Sequence, residues 1–142
     1  MMFHTVLVGA DDSPTARRAV ETAVEIAQMS SGQLHIVSAF GAKSYGTTSP
    51  ETSFKSVAVE GDIEDLLQVL SFIATKQGLE PVLHAVKGDA ADALIKTADE
   101  IEADLVVVGN RGMKGVRRVL GSVPNTVVHG ANCSVLIVDT TE

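Results

Sequence analysis

Five short apolar runs punctuate the chain: Thr5 to Ala10, Leu34 to Phe40, Val82 to Val86, Leu105 to Val108 and Val135 to Val138. They are rich in Val and Ile, and most lack the apolar–polar alternation of a strand with one wet face. That pattern predicts strands buried on both sides. Between the first two runs, Ala16, Ala19, Val20, Ala23, Val24 and Ala27 recur at helical spacing. Ser13 is the predicted N-cap, Pro14 takes the first helical position and Gly32 lies just past the end, which predicts a helix over Pro14 to Ser30. Ile63, Leu66, Leu67, Leu70, Ile73 and Ala74 repeat the period up to Gly78. Ala91, Leu94, Ile95, Ala98 and Ile101 do so before the fourth run. A last helix is predicted from about Ser122 to Gly130, with Pro124 tolerated in its first turn.

Strands that alternate with helices imply right-handed crossovers and an open five-stranded parallel sheet with helices on both faces, a Rossmann-like α/β fold. Such sheets bind ligands beyond the strand C-terminal ends, where the strand order reverses. Asp11-Asp12-Ser13, Lys87-Gly88-Asp89 and Gly109 to Ser122 each follow a strand at that edge. Residues 41–59 hold Gly, Ser, Thr and Pro without either period and read as one long loop. A flap over the ligand and a disordered insertion are both compatible with its composition.

At 142 residues, 45% hydrophobic and 20% charged, the chain has the makeup of one globular domain, taken as residues 1–142. Only 4% is aromatic and Trp is absent, so the core must come mainly from Val, Ile, Leu and Ala. Net charge is -7, yet Leu105 through Val138 contains no Asp or Glu and carries +4 from Arg111, Lys114, Arg117 and Arg118, leaving -11 elsewhere. A single basic loop in an acidic chain argues against nucleic acid, which needs a broad basic face. Cys133 has no second cysteine to pair with. No signal peptide or membrane span is read in the sequence, and with one thiol a reducing cytoplasm is the expected compartment.

The segment Gly109 to Ser122 carries four glycines, four cations and no acid directly after a strand. Glycines allow backbone N–H groups to approach an anion, and a helix starting at Gly121-Ser122 adds unpaired donors and a positive dipole end. A nucleotide phosphate is the anion this suits, with Arg111 and Lys114 as candidate charge-assisted contacts. Arg117 and Arg118 are adjacent and point apart, so one of them is expected to face solvent. Asp11-Asp12 also fits a plain helix start, with Asp12 at the dipole. A phosphoryl-accepting receiver is disfavoured, because the fifth strand ends Ile137-Val138-Asp139-Thr140 with no Lys. His4, His35, His84 and His129 show no metal-ligand spacing, so no metal site is assigned. Cys133 is read as a packed thiol. Neither a nucleophile elbow, a Walker loop nor a dinucleotide fingerprint is present, and no catalytic residue is assigned.

Val6-Leu7-Val8-Gly9-Ala10-Asp11-Asp12-Ser13, Gly88-Asp89-Ala90 and Gly109-Asn-Arg-Gly112 through Gly121-Ser122-Val-Pro-Asn-Thr-Val together resemble the universal stress protein family over essentially the whole chain. The resemblance implies its adenine nucleotide α hydrolase-like fold and an adenine nucleotide as ligand: ATP, AMP or cyclic AMP, with Mg²⁺ beside a triphosphate. It places Ala10 and Asp11 by adenine and ribose, and backbone near Ala39 against adenine. Gly109, Arg111, Gly112, Lys114, Gly121, Ser122 and Val123 fall around ribose and phosphates. Only eight residues separate Gly112 from Gly121, where the family's nucleotide-binding members have nine, so the phosphate number stays open. The resemblance also implies a homodimer through the strand Val135 to Val138, which would cover a sheet edge. A family interaction module without nucleotide and a weak Mg²⁺-dependent ATPase are the alternatives.

Overall fold

The computed structural model describes residues 3–41, 59–110 and 122–140. In chain order these form β1 (Thr5–Gly9), α1 (Ala16–Ser30), β2 (Gln33–Phe40), α2 (Glu60–Thr75), β3 (Val82–Lys87), α3 (Ala90–Ile101), β4 (Leu105–Gly109), α4 (Ser122–Gly130) and β5 (Ser134–Val138). All neighbouring strands pair in parallel, in the order β3-β2-β1-β4-β5. This is the open, doubly wound sheet that the sequence predicts. The loop expected over 41–59 lies almost wholly outside the described residues, as does most of the basic segment.

The missing alternation has a direct cause. Val6, Leu7 and Val8 of β1 are all fully buried, but toward opposite faces. Val6 and Val8 join Val20 and Val24 of α1 and Leu67 and Leu70 of α2. Leu7 joins Leu94 and Ala98 of α3 and Val127 of α4. Removing a Val or Leu side chain from water contributes roughly 1.5–3 kcal/mol, so a strand covered on both faces gains from consecutive apolar residues. At the N-terminal ends of the strands, the Asp104 carboxylate accepts from His4 N at 2.9 Å and Thr5 N at 3.1 Å, joining the entries of β1 and β4.

α1 ends at Ser30 as expected, but its start differs from expectation. The helix begins at Ala16, and its N-cap is Thr15, which makes no side-chain capping bond. Ser13 is drawn into a preceding turn: its N–H donates to Asp11 Oδ1 at 2.9 Å, and its carbonyl accepts from Ala16 N at 3.2 Å. A turn closed by an aspartate side chain competes with helix capping and delays the helix by two residues. The local carboxylate at this helix start is therefore Asp11, while Asp12, expected in that role, is exposed.

Past that end, Ser31 takes the left-handed position, with φ 54°, and Gly32 follows it. Gly32 is needed for a different reason: a Cβ there would collide with the Phe3 carbonyl oxygen and lie 3.1 Å from that of His4. The next residue, Gln33, donates to that His4 carbonyl at 2.8 Å, so the backbone cannot retreat without losing the entry to β2. Gly32→Ala is expected to destabilise the protein by about 1–3 kcal/mol through this overpacking. Ser31→Gly should stabilise it or leave it unchanged, because glycine tolerates positive φ. Urea unfolding of the two variants reads the contrast.

Candidate functional site

Strand order reverses between β1 and β4, because the chain leaves β1 toward β2 and β3 and returns to the other side for β4 and β5. Beyond the C-terminal ends of these strands lies a cavity of about 550 Å³. Its floor is formed by Gly9, Ala10 and Asp11 after β1, Val37 to Ala39 of β2, and Val108 and Gly109 of β4. The first turns of α1, α3 and α4 reach it through Ala16, Ala90 and Val123. Three helix N-termini at one crevice bring partial positive charge to it, which favours an anionic group.

Small side chains make the room. Ala16 and Ala19 on α1 and Ala90 and Ala93 on α3 line the cavity where larger residues would fill it. Gly9 serves the packing beneath: a Cβ there would lie 2.7 Å from Leu94 Cδ1, so α3 seats directly on the end of β1. The floor is also cross-linked. Ala10 N donates to Val37 O at 3.0 Å, and the buried Ser38 hydroxyl donates to Ala10 O at 2.6 Å.

Asp11 is the one charged side chain among the described lining residues, and it is half-buried. With one oxygen engaged by Ser13 N, its carboxylate is oriented within the cavity lining. An oriented, acceptor-only group suits paired hydroxyls. Ser13 and Thr15 add hydroxyls that lie 3.2 Å from each other.

At the far wall, Asn110 locks the end of β4 to the chain after β5. Its backbone N–H donates to Val138 O at 2.9 Å, and its Oδ1 accepts from Thr140 N at 2.8 Å and Thr140 Oγ1 at 2.9 Å. Its Nδ2 donates to Asp139 Oδ1 at 3.2 Å. Asn110 and Thr140 are 7% and 3% exposed, so the bonds between these two residues form away from competing water. Thr140 itself lines the cavity.

Of the residues predicted from sequence, Ala10, Asp11, Ala39, Gly109 and Val123 come together on this cavity. Arg111, Gly112, Lys114 and Gly121 lie outside the described residues; Ser122 opens α4, but its side chain does too. Sequence reasoning missed Ser38, Thr15, Leu94 and Thr140. The run of alanines in the first turns of α1 and α3 is a readable signal for a nearby void. Thr140 carries no such signal, because only the β4–β5 pairing brings it to the cavity.

Asp89, also at this edge, is committed to capping α3, where Oδ2 accepts from Asp92 N at 3.2 Å. Cys133 is half-buried, and burial first, then Asp104 and Asp99, pushes its thiol pKa up, away from nucleophilic chemistry. Among the described residues no three His, Cys, Asp or Glu side chains gather as a metal site.

Fold and cavity define a doubly wound α/β protein with a crevice at its switch point. A model of the universal stress protein family matches residues 2–139, and the chain belongs to that family. It is 38% identical to universal stress protein Rv1636 of Mycobacterium tuberculosis over 146 aligned positions, covering 98% of each chain. A solved universal stress protein in complex with cAMP is 33% identical, with a TM-score of 0.79 covering 99% of this chain and 100% of that one. The universal stress protein of Archaeoglobus fulgidus in complex with dAMP shares the fold at 23% identity, with a TM-score of 0.66 over 96% of this chain and 98% of that one.

Replacing Asn110 by Ala strands two buried donors of Thr140. The expected loss, on the order of 1–3 kcal/mol for an unsatisfied buried group, is measurable by urea unfolding. Asp12→Ala, at an exposed position, should stay within about 0.5 kcal/mol of the parent in the same assay.

Proposed function

We propose that this universal stress protein binds an adenine nucleotide in the switch-point cavity and couples its occupancy to a partner or to its own conformation. The observation that carries the reading is the cavity itself: about 550 Å³, mostly apolar, with one oriented carboxylate and three helix N-termini around it. That volume lies within the usual range for small-molecule sites, and the division between apolar body and polar rim suits a base joined to a sugar phosphate. The 33% identical relative bound to cAMP supports the same ligand class.

In this reading the adenine lies against Ala10 and Ala39, and Asp11 accepts from ribose hydroxyls. The phosphates sit toward Gly109, Arg111, Gly112, Lys114, Gly121, Ser122 and Val123, where α4 begins. ATP, AMP and cyclic AMP are the candidate ligands, ATP with Mg²⁺. The spacing of eight residues between Gly112 and Gly121 bears on how long a phosphate tail is held. The protein acts in the cytoplasm as a homodimer. Strand β5, at one end of the sheet order, supplies an edge with backbone groups available for pairing.

Calorimetric titration with ATP, AMP and cyclic AMP tests the proposal. Saturable binding of at least one is expected, weakened at least about tenfold by Asp11→Ala, the scale of losing a hydrogen bond to a charged group. Failure of the folded protein to bind any adenine nucleotide overturns it. Light scattering checks the dimer separately, and a monomer mass at every concentration sets the edge pairing aside.

A further inference from the structure

Outside the cavity lining, His35 of β2 and His84 of β3 meet on the sheet face that α3 covers. In the parallel register His84 stands opposite Val37 and His35 opposite Val82, so the two histidines are diagonal neighbours across the β2–β3 ladder. His35 Nδ1 and His84 Nε2 are 2.9 Å apart; the rings are nearly parallel at 17°, with centroids 5.2 Å apart. A bond between two imidazole nitrogens requires one to carry a hydrogen and the other to be bare. The neutral pair satisfies that requirement, and so does the pair with one added proton. With two, both nitrogens become donors and the bond is replaced by repulsion between cations.

We propose that the His35–His84 pair is a proton-sensitive latch that fastens the outer strand β3 to β2 at neutral pH and releases that sheet edge on acidification. Among the described residues β3 ends the sheet and has β2 as its only strand neighbour, so there a bond across this ladder has no second ladder to compensate for its loss. The latch also adjoins the cavity floor, since Val37, registered against His84, lines the cavity.

The surroundings oppose charging of the pair. Burial lowers the pKa of both rings; next in effect, the charge of His84 opposes that of His35, while Glu100 of α3 pulls His84 back upward. The pair therefore takes its two protons in coupled steps. Among other charged groups on neighbouring elements, Lys96, one turn earlier on α3, and Glu80, ahead of β3, are exposed. Because the folded-state pKa values are depressed, the unfolded chain binds protons that the folded chain refuses. The stabilisation is fully present above the unfolded histidine pKa of about 6.5 and is lost as pH falls below it.

Amide hydrogen exchange on the full chain, corrected for intrinsic rates, tests the latch between about pH 7.5 and about pH 5, the interval in which histidine changes charge. A several-fold loss of protection is expected in Val82 to Lys87 relative to Leu105 to Gly109, and His84→Gln, which stays neutral, should abolish that difference. Imidazole NMR of the unmodified protein should show the two rings titrating in two coupled steps, a result that does not depend on the variant folding. Equal acid response of the two strands, an unchanged response in folded His84→Gln, or independent titration of the two rings overturns the proposal.

Discussion

Two-sided burial of β1 is the constraint on which the rest depends. A strand whose successive side chains point to opposite faces must find apolar cover on both, and here α1 and α2 cover one side while α3 and α4 cover the other. Right-handed crossovers can meet that demand only if the chain winds outward from β1 in one direction and then returns to wind outward in the other. The reversal leaves a crevice beside β1 that no crossover fills. The cavity is thus a consequence of how the core is closed.

What the crevice can hold is set by the residues at its rim. Alanines at the starts of α1 and α3 keep it open, Asp11 gives it one oriented charge, and the helix termini give it positive potential. Ser38 and Asn110 then join strand ends that would otherwise be tied only by the sheet ladder. Such cross-links hold a site's geometry without placing more bulk inside it. Membership of the universal stress protein family and the nucleotide reading draw on that architecture as well as on the basic glycine segment.

Elements and their order were legible because period and burial are properties of local sequence. Val6-Leu7-Val8 and the Ala16 to Ala27 stripe could each be read alone, and both are buried as expected. Punctuation was read less well. Ser13 looks like a helix cap, but the Asp11 carboxylate captures its N–H first. Gly32 stands past the helix end as read, but Ser31 takes the left-handed conformation, and Gly32 is required by the carbonyls of Phe3 and His4. In each case a neighbour that a propensity rule does not weigh decided the outcome.

The same division runs through the site and the sheet edge. Sequence alone determined the fold class, the strand-end placement of Ala10, Asp11, Ala39 and Gly109, and the acidic chain with its single basic loop, because each depends on spacing and charge along the chain. Tertiary structure alone decided that Thr140 reaches the cavity, that Asn110 holds it there, and that His35 and His84, 49 positions apart, share a hydrogen bond. The physical reason is strand register: a shift of one residue would turn these side chains to the opposite face, and register is set by the packing of the whole sheet.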